Sequence, residues 1–302
     1  MMSNHIFWLS SYPKSGNTLL RSILISLFFT NDGRFKIDKF KDIKQFDVTK
    51  LISKNEYLLK KDLKNVEILY KYILDLQTRN SLDIKKNSFI FLKTHSGLFK
   101  VSNYPFTIED NTLGIFYIIR DPRDICISWS IHAGMSIDDS INFMLNENSL
   151  LHWKENDDTD ELFSDHTRPR LYLSSWDRHV NSWTKVNWKK PKKIIRFEDI
   201  VYKKKETVLE IIKFFEKNYN ININNKEEKI MNIVETTDFK ILKNQELKKG
   251  FSESTKFSNF FSKGKKNQWK ELLKKNQIKK LEDKFGNVMK QYKYNIFLKN
   301  EN

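Results

Sequence analysis

The chain has 302 residues, with 54 Lys plus Arg against 38 Asp plus Glu and a formal net charge of +16; that length buries a sizeable core without metals or cross-links. Cys126 is its sole cysteine, which excludes an internal disulfide framework and a cysteine-rich structural zinc site. A hydrophobic content of 39% is low, but aromatics reach 14% with 23 Phe, enough to furnish a core and to argue against disorder.

The opening stretch MMSNHIFWLSSYPKSGN lacks a basic segment followed by a long apolar run, so no secretory signal is expected. Nowhere do about 18 apolar residues follow one another, so no membrane span is expected either. The expected setting is cytoplasmic. The positive charge fits a solvated basic surface as well as it fits an anion-binding role.

Short apolar runs bounded by turn residues predict strands at His5–Leu9, Ser88–Leu92, Leu113–Ile119 and Lys193–Phe197. Helical spacing is read at Thr18–Phe29, Leu63–Thr78, Arg123–Ala133, Leu171–Trp183, Lys205–Phe215 and Gln268–Tyr292. Strands alternating with helices predict an α/β fold with a mainly parallel central sheet flanked by helices. No repeat, linker or compositional break marks a boundary, so residues 1–302 are read as one domain. Two stretches, Asn31–Tyr57 and Asn244–Asn267, show no clear period and are read as long loops, candidate lids over a ligand.

The first predicted strand runs into Ser11-Tyr12-Pro13-Lys14-Ser15-Gly16-Asn17-Thr18 and then into an apolar-periodic helix. Such a corner offers unpaired amides, a positive dipole end, two hydroxyls and a Lys to one volume, which suits a phosphate. An ordinary strand-to-helix turn would use the same small residues. The pattern is not the nucleoside-triphosphate loop, because Lys14 precedes Gly16 and no earlier glycine exists. The third strand ends in Arg120-Asp121-Pro122-Arg123-Asp124, with Ser128 about two helical turns on. Asp121 suits an N-cap and Pro122 a first helical turn. Arg120 and Ser128 could hold a second phosphate at the carboxyl end of a strand; a surface Arg paired with Asp121 or Asp124 is the plain alternative. The second strand ends in Lys93-Thr94-His95, which places His95 where a general base can emerge.

Taken in order, Tyr12–Thr18, Lys93-Thr94-His95 and Arg120–Asp124 with Ser128 resemble the cytosolic-type sulfotransferases that use 3′-phosphoadenosine-5′-phosphosulfate (PAPS). Ser174-Ser175-Trp176, His179-Val180 and Trp183, then Arg196-Phe197-Glu198-Asp199, Thr236-Thr237-Asp238-Phe239, Lys263-Gly264 and Trp269-Lys270 are similar to later motifs of that family, so the likeness spans about residues 6–270. The resemblance implies a P-loop-like three-layer sandwich. It also implies roles: Lys14, Ser15, Gly16, Asn17 and Thr18 cradle the 5′-phosphosulfate, while Arg120, Ser128, Lys263 and Gly264 hold the 3′-phosphate. Phe197, Thr237 and Phe239 complete the cosubstrate site, His95 is the base, and Lys14 with Lys93 stabilises the leaving phosphate. PAPS as cosubstrate, adenosine 3′,5′-bisphosphate (PAP) as product, no metal, and a small-molecule, glycan or lipid acceptor are what that family membership implies, with no nucleic-acid partner. The alternatives are a nucleotide kinase of related fold and a non-catalytic basic protein binding nucleic acid or anionic glycan.

Departures from the family pattern are Leu19 where a Trp commonly stacks on adenine, Phe197 for a Tyr, and Ser262 for an Arg at the 3′-phosphate. Cys126 is expected to be a buried small hydrophobe, Trp176 and Trp183 core residues on one helix face, and the lysines of the last helix solvated.

Overall fold

The computed structural model describes residues 5–46, 66–85, 88–152, 170–261, 264 and 266–297. In chain order the strands are β1 (Ile6–Ser11), β2 (Lys44–Gln45), β3 (Ile90–Thr94), β4 (Lys100–Val101), β5 (Tyr104–Pro105), β6 (Thr112–Ile119), β7 (Leu150–His152), β8 (Arg170–Tyr172) and β9 (Lys192–Arg196). The helices are α1 (Asn17–Phe28), α2 (Val66–Asp75), α3 (Pro122–Ala133), α4 (Ile137–Leu145), α5 (Trp176–Thr184), α6 (Phe197–Tyr202), α7 (Lys204–Tyr219), α8 (Lys226–Thr236), α9 (Phe239–Lys249), α10 (Trp269–Leu272) and α11 (Lys275–Gln291).

A five-stranded sheet runs in the order β2-β3-β1-β6-β9, mainly parallel and flanked by helices as the alternation predicts. β1 and β3 pair in parallel from Ile6 opposite Ile90 to Ser10 opposite Thr94. All six residues of β1 are buried, which explains its unbroken apolar reading. After β1 the chain builds one side of the sheet through β3 and then the other through β6, so the order reverses beside β1. Ligands of open α/β sheets bind beyond the carboxyl ends of strands at such a reversal.

The chain divides into two compact units. The first comprises Met1–Tyr12, Gln45–Tyr117 and Asn146–Lys193. Its core is aromatic: Trp8 meets Phe46 edge-on at 5.4 Å and Phe106 at 5.3 Å between ring centres, and Phe7 meets Phe116 at 4.9 Å. Each such buried ring contributes about 1.5–3 kcal/mol by leaving water, with roughly 1 kcal/mol more from edge-to-face geometry.

The second unit comprises Pro13–Lys44, Ile118–Leu145 and Ile194–Asn302. There α1 packs through Phe28 on Phe215 of α7, ring centres 4.8 Å apart. Its C-terminal carbonyls are met by the Lys229 ammonium, 3.0 Å from the Leu27 oxygen and 2.9 Å from that of Thr30. The start of α3 follows the sequence expectation: Asp121 caps it by accepting from the Arg123 amide, with Pro122 in the first turn. Arg123 closes a buried network, paired through its guanidinium to Asp121 and Glu282 and lying 3.7 Å over the Trp269 ring. Asp121 thus carries both the helix cap and the Arg123 pair, while Arg120 is buried with Asp124, Glu198 and Asp121 around it.

The differences from the predicted elements have local causes. The segment read as one helix from Leu171 instead forms β8, then Ser174 in the left-handed region with φ 63°, and only then α5. The last predicted helix breaks at Leu273 and Lys274, both extended, where the Gln277 side chain takes the Lys274 amide at 2.9 Å and starts α11 afresh. Residues 244–249, read as loop, are the end of α9, a helix that buries only Leu242 and Glu246 and so shows almost no apolar period. In the other irregular stretch a short 3₁₀ turn, Ile37–Asp42, precedes β2, and residues 47–57 lie outside the described residues. Cys126, Trp176 and Trp183 are fully buried, and α11 buries Ile278, Leu281, Phe285 and Met289 while Lys275, Lys279 and Lys280 face water.

Candidate active site

The second unit holds an open pocket lined by Lys14, Gly16, Thr18 and Leu19 together with Arg120, Ile127, Ser128 and Ile131. Phe197, Phe239, Phe260, Phe261, Gly264 and Gln268 complete its wall. The loop after β1 reaches it in a strained form. Lys14 has φ 63°, a conformation that costs an ordinary residue of order 1 kcal/mol or more. Gly16 has φ 98°, and a Cβ there would overlap the Phe197 ring, so only glycine serves. Gly264, φ 60°, is excluded from bearing a side chain in the same way by Phe239.

The charges at this pocket are partly stripped of water. Arg120 is 5% exposed, donates to the Lys14 carbonyl at 2.9 Å and lies 4.2 Å over the Phe197 ring. Burial pushes its guanidinium below the usual arginine range, against the opposing pull of Asp124, Glu198, Tyr294 and Asp121. A buried cation so placed gains from an arriving anion. The Lys14 ammonium stands 4.1 Å over the Phe260 ring. Ser15 is buried, and its hydroxyl has no partner among the described residues. Thr18 donates its hydroxyl to Glu253 at 3.0 Å, and the same carboxylate pairs with Arg21, which also donates to the Phe40 and Ile43 carbonyls at 2.9 and 2.8 Å.

In the first unit, β3 ends at Lys93 and Thr94, both buried, and His95 follows half-buried. His95 Nδ1 lies 2.9 Å from the Ser11 carbonyl and 3.2 Å from the Ser11 hydroxyl. A carbonyl only accepts, so Nδ1 carries the proton and the basic lone pair is on Nε2. The same logic fixes His179: its Nε2 donates to the His95 carbonyl at 3.1 Å, and Nδ1 accepts from the Tyr117 hydroxyl at 2.9 Å. Burial lowers the His179 pKa from 6.5 to about 4, only partly offset by its bonds to the His95 and Ser96 backbone, so it is neutral at pH 7. Trp183 Nε1 donates to the Ser96 carbonyl at 2.8 Å, so two side chains of α5 hold consecutive carbonyls of the His95 turn.

Comparison with known proteins decides the family. A model of the sulfotransferase domain matches residues 5–293. The chain belongs to the sulfotransferase family. It is 25% identical over 240 residues to sulfotransferase 1B1 of Canis lupus familiaris, an alignment that covers 79% of this chain and 66% of the relative, just under two thirds of its length. Among solved structures, mouse sulfotransferase SULT7A1 complexed with PAP matches with a TM-score of 0.56 at 18% identity over 97% of this chain and 89% of that one. Retinol dehydratase in complex with retinol and PAP matches at 0.59 and 18% over 99% and 84%. The same enzyme with androsterone and inactive cofactor PAP matches at 0.58 and 18% over 100% and 84%. These likenesses show the P-loop-like α/β sandwich as the fold.

Within this sulfotransferase-family chain, one pocket gathers Lys14, Gly16, Thr18, Arg120, Ser128, Phe197, Phe239 and Gly264 of the sequence-predicted set, with Ser15 and Asn17 buried in the same corner. Lys93 and His95 belong to the first unit. Thr237 lies outside the pocket lining: its hydroxyl bonds back to the Ile233 carbonyl at 2.7 Å and its carbonyl accepts from Lys204 at 2.7 Å. Lys263 and Ser262 lie outside the described residues. Sequence reading missed Phe260, Phe261 and Glu253; the paired Phe just before Lys263-Gly264 was the available signal. Among the described residues no group of His, Cys, Asp or Glu side chains could hold a metal, and no helix is long and apolar enough to cross a membrane.

Proposed function

We propose that this chain transfers a sulfuryl group from PAPS to a hydroxyl, or an amine, of an acceptor. The observation that carries the reading is the pocket of the second unit, where Lys14 and Arg120 bring two cations to one volume walled by Phe197, Phe239, Phe260 and Phe261. An aromatic base with an anionic group on either side of its sugar matches that set, with rings for the base and charge-assisted contacts for the phosphates. The buried Ser15 hydroxyl and the bare backbone at Gly16 and Gly264 fit the same ligand, one as a donor and the others as surfaces that admit close approach. The loss of a Trp at Leu19 is offset in this reading by Phe260 and Phe261, aromatic surfaces on the same pocket.

PAPS supplies the transferable group, with PAP as product. In this proposal the loop from Lys14 to Thr18 binds the 5′ side, and Arg120, Ser128 and the Gly264 turn bind the 3′-phosphate. Lys14, assisted by Lys93, stabilises charge on the bridging oxygen. Sulfuryl transfer, like phosphoryl transfer, passes through a loose in-line transition state, so positioning and cationic stabilisation carry most of the rate. His95 accepts the acceptor's proton on Nε2, a role supported by the tautomer that the Ser11 carbonyl imposes. A single catalytic domain spanning the chain is part of the same reading, supported by the family match over residues 5–293. A small-molecule acceptor is supported by neighbours solved with androsterone and with retinol.

Titration calorimetry with PAP, ATP and duplex DNA tests the reading, followed by a screen of small-molecule, glycan and lipid acceptors with labelled PAPS. Saturable PAP binding well above ATP binding, and label transfer to at least one acceptor, are expected. Equal or tighter ATP binding would turn the assignment towards a kinase, and binding to DNA alone towards a basic scaffold.

A further inference from the structure

Glu246 is buried on α9, and neither the mechanism above nor the sequence motifs use it. Its two carboxylate oxygens collect donors from the chain that follows: the Ser254 hydroxyl and the Phe260 amide on Oε1, the latter at 2.6 Å, and the Phe261 amide on Oε2 at 2.9 Å. A buried carboxylate met by two amides and a hydroxyl makes charge-assisted bonds, stronger than neutral ones and strict in geometry. The two residues so held are the two aromatic wall residues that no motif announced. Phe260 supports the Lys14 ammonium at 4.1 Å, and Phe261 meets Phe239 edge-on at 5.8 Å.

Resting on the sulfotransferase reading, we propose that Glu246 is a positioning residue for the cosubstrate: its carboxylate sets Phe260 and Phe261 as one wall and, through Phe260, aims Lys14. Rotating the 260–261 backbone by one peptide would withdraw both rings together, so one carboxylate governs the aromatic wall and the cationic tip. Glu246→Gln keeps the shape but replaces one acceptor oxygen with an NH₂ group that faces a donor.

The test is PAP calorimetry on the full chain, with Glu246→Gln, Phe260→Leu and the double variant. The expected result is a loss of about tenfold in PAP affinity for each single variant, the size of one charge-assisted contact. The double variant is expected to be little worse than Glu246→Gln alone, since Phe260 is one of the two rings that the carboxylate sets. Wild-type affinity in folded Glu246→Gln, or losses that multiply fully, would overturn the proposal. Ser254→Ala, which removes only one donor and is the milder change, is measured alongside. It is expected to weaken PAP binding about twofold to threefold; no change there would overturn the proposal where Glu246→Gln fails to fold. If the wild-type chain itself does not bind PAP, it is the sulfotransferase reading that fails, whatever the variants do.

Discussion

The pocket of the second unit and the His95 turn of the first both grow from the ends of sheet strands, yet they are built to opposite rules. Around the pocket, Lys14 sits in a left-handed conformation, Arg120 is a buried cation resting on a ring, and the buried Ser15 hydroxyl has no partner among the described residues. Around His95, the Ser11 carbonyl, His179, Tyr117 and Trp183 form a chain of well-formed hydrogen bonds in which each ring nitrogen has one assigned role. On the proposed reading, the site that would receive charge carries strain and a buried cation at a cost in stability. The site proposed to hold one lone pair in one direction is ordered by internal hydrogen bonds.

The comparison breaks most visibly at His95. His95→Ala is expected to lower transfer about a thousandfold, within the range for losing a general base, while PAP affinity by calorimetry stays within about twofold of wild type. A comparable loss of PAP binding would mean that His95 serves the pocket and not the proton. Next in size is Lys14→Met. It should lower single-turnover transfer at saturating PAPS by on the order of a hundredfold, as expected for one preorganised electrostatic donor, and should raise the PAP dissociation constant by less. A wild-type rate once saturated would reduce Lys14 to a binding group.

Arg120→Ala sharpens the description of the pocket as a place waiting for an anion. PAP affinity should fall roughly tenfold to a hundredfold, the worth of a charge-assisted contact, with a smaller loss for adenosine 5′-phosphosulfate, which lacks the 3′-phosphate. Equal losses for the two ligands would leave Arg120 a structural role alone.

The smallest effect concerns the internally completed region. His179 is neutral in the fold, with a pKa lowered to about 4, whereas the unfolded chain protonates near 6.5. Between these values the unfolded state binds more protons, so stability is lost as pH falls through that window and levels off below it. Urea unfolding should show an acid loss about 1.5 kcal/mol greater for wild type than for the non-titrating His179→Gln between about pH 6.5 and pH 5. Parallel curves would show that His179 is not held neutral.

The residues readable from sequence were those whose local chain order already encodes their place. Lys14, His95 and Arg120 each follow an apolar run that could only be a strand, and their chemistry is visible as a charge or an imidazole at its end. The Asp121-Pro122 helix start was readable for the same reason, since capping is local. Glu246, Glu253, Phe260 and Phe261 were not. Their partners are either more than 200 residues away, as for Glu253 with Thr18 and Arg21, or lie in a stretch whose helix buries too few apolar residues to show a period. Thr237 is the opposite case: its motif is recognisable in the sequence, while in the fold its hydroxyl donates to the carbonyl one turn back along α8.

The pairing of Gly16 with Phe197 and of Gly264 with Phe239 carries a consequence for how this pocket can change over evolutionary time. Each ring lies where a methyl group would be, so the pocket's width at both places is fixed by main chain. Enlarging the side chain at either glycine is blocked twice, by the ring and by the backbone angle, and trimming the ring lifts only the first block. No single substitution therefore narrows the pocket from the glycine side, whereas one substitution at Phe197 or Phe239 widens it at once. Change in ligand preference is directional here: losing a ring opens the pocket to bulkier ligands in one step, and narrowing it again at these two places takes restoring a ring.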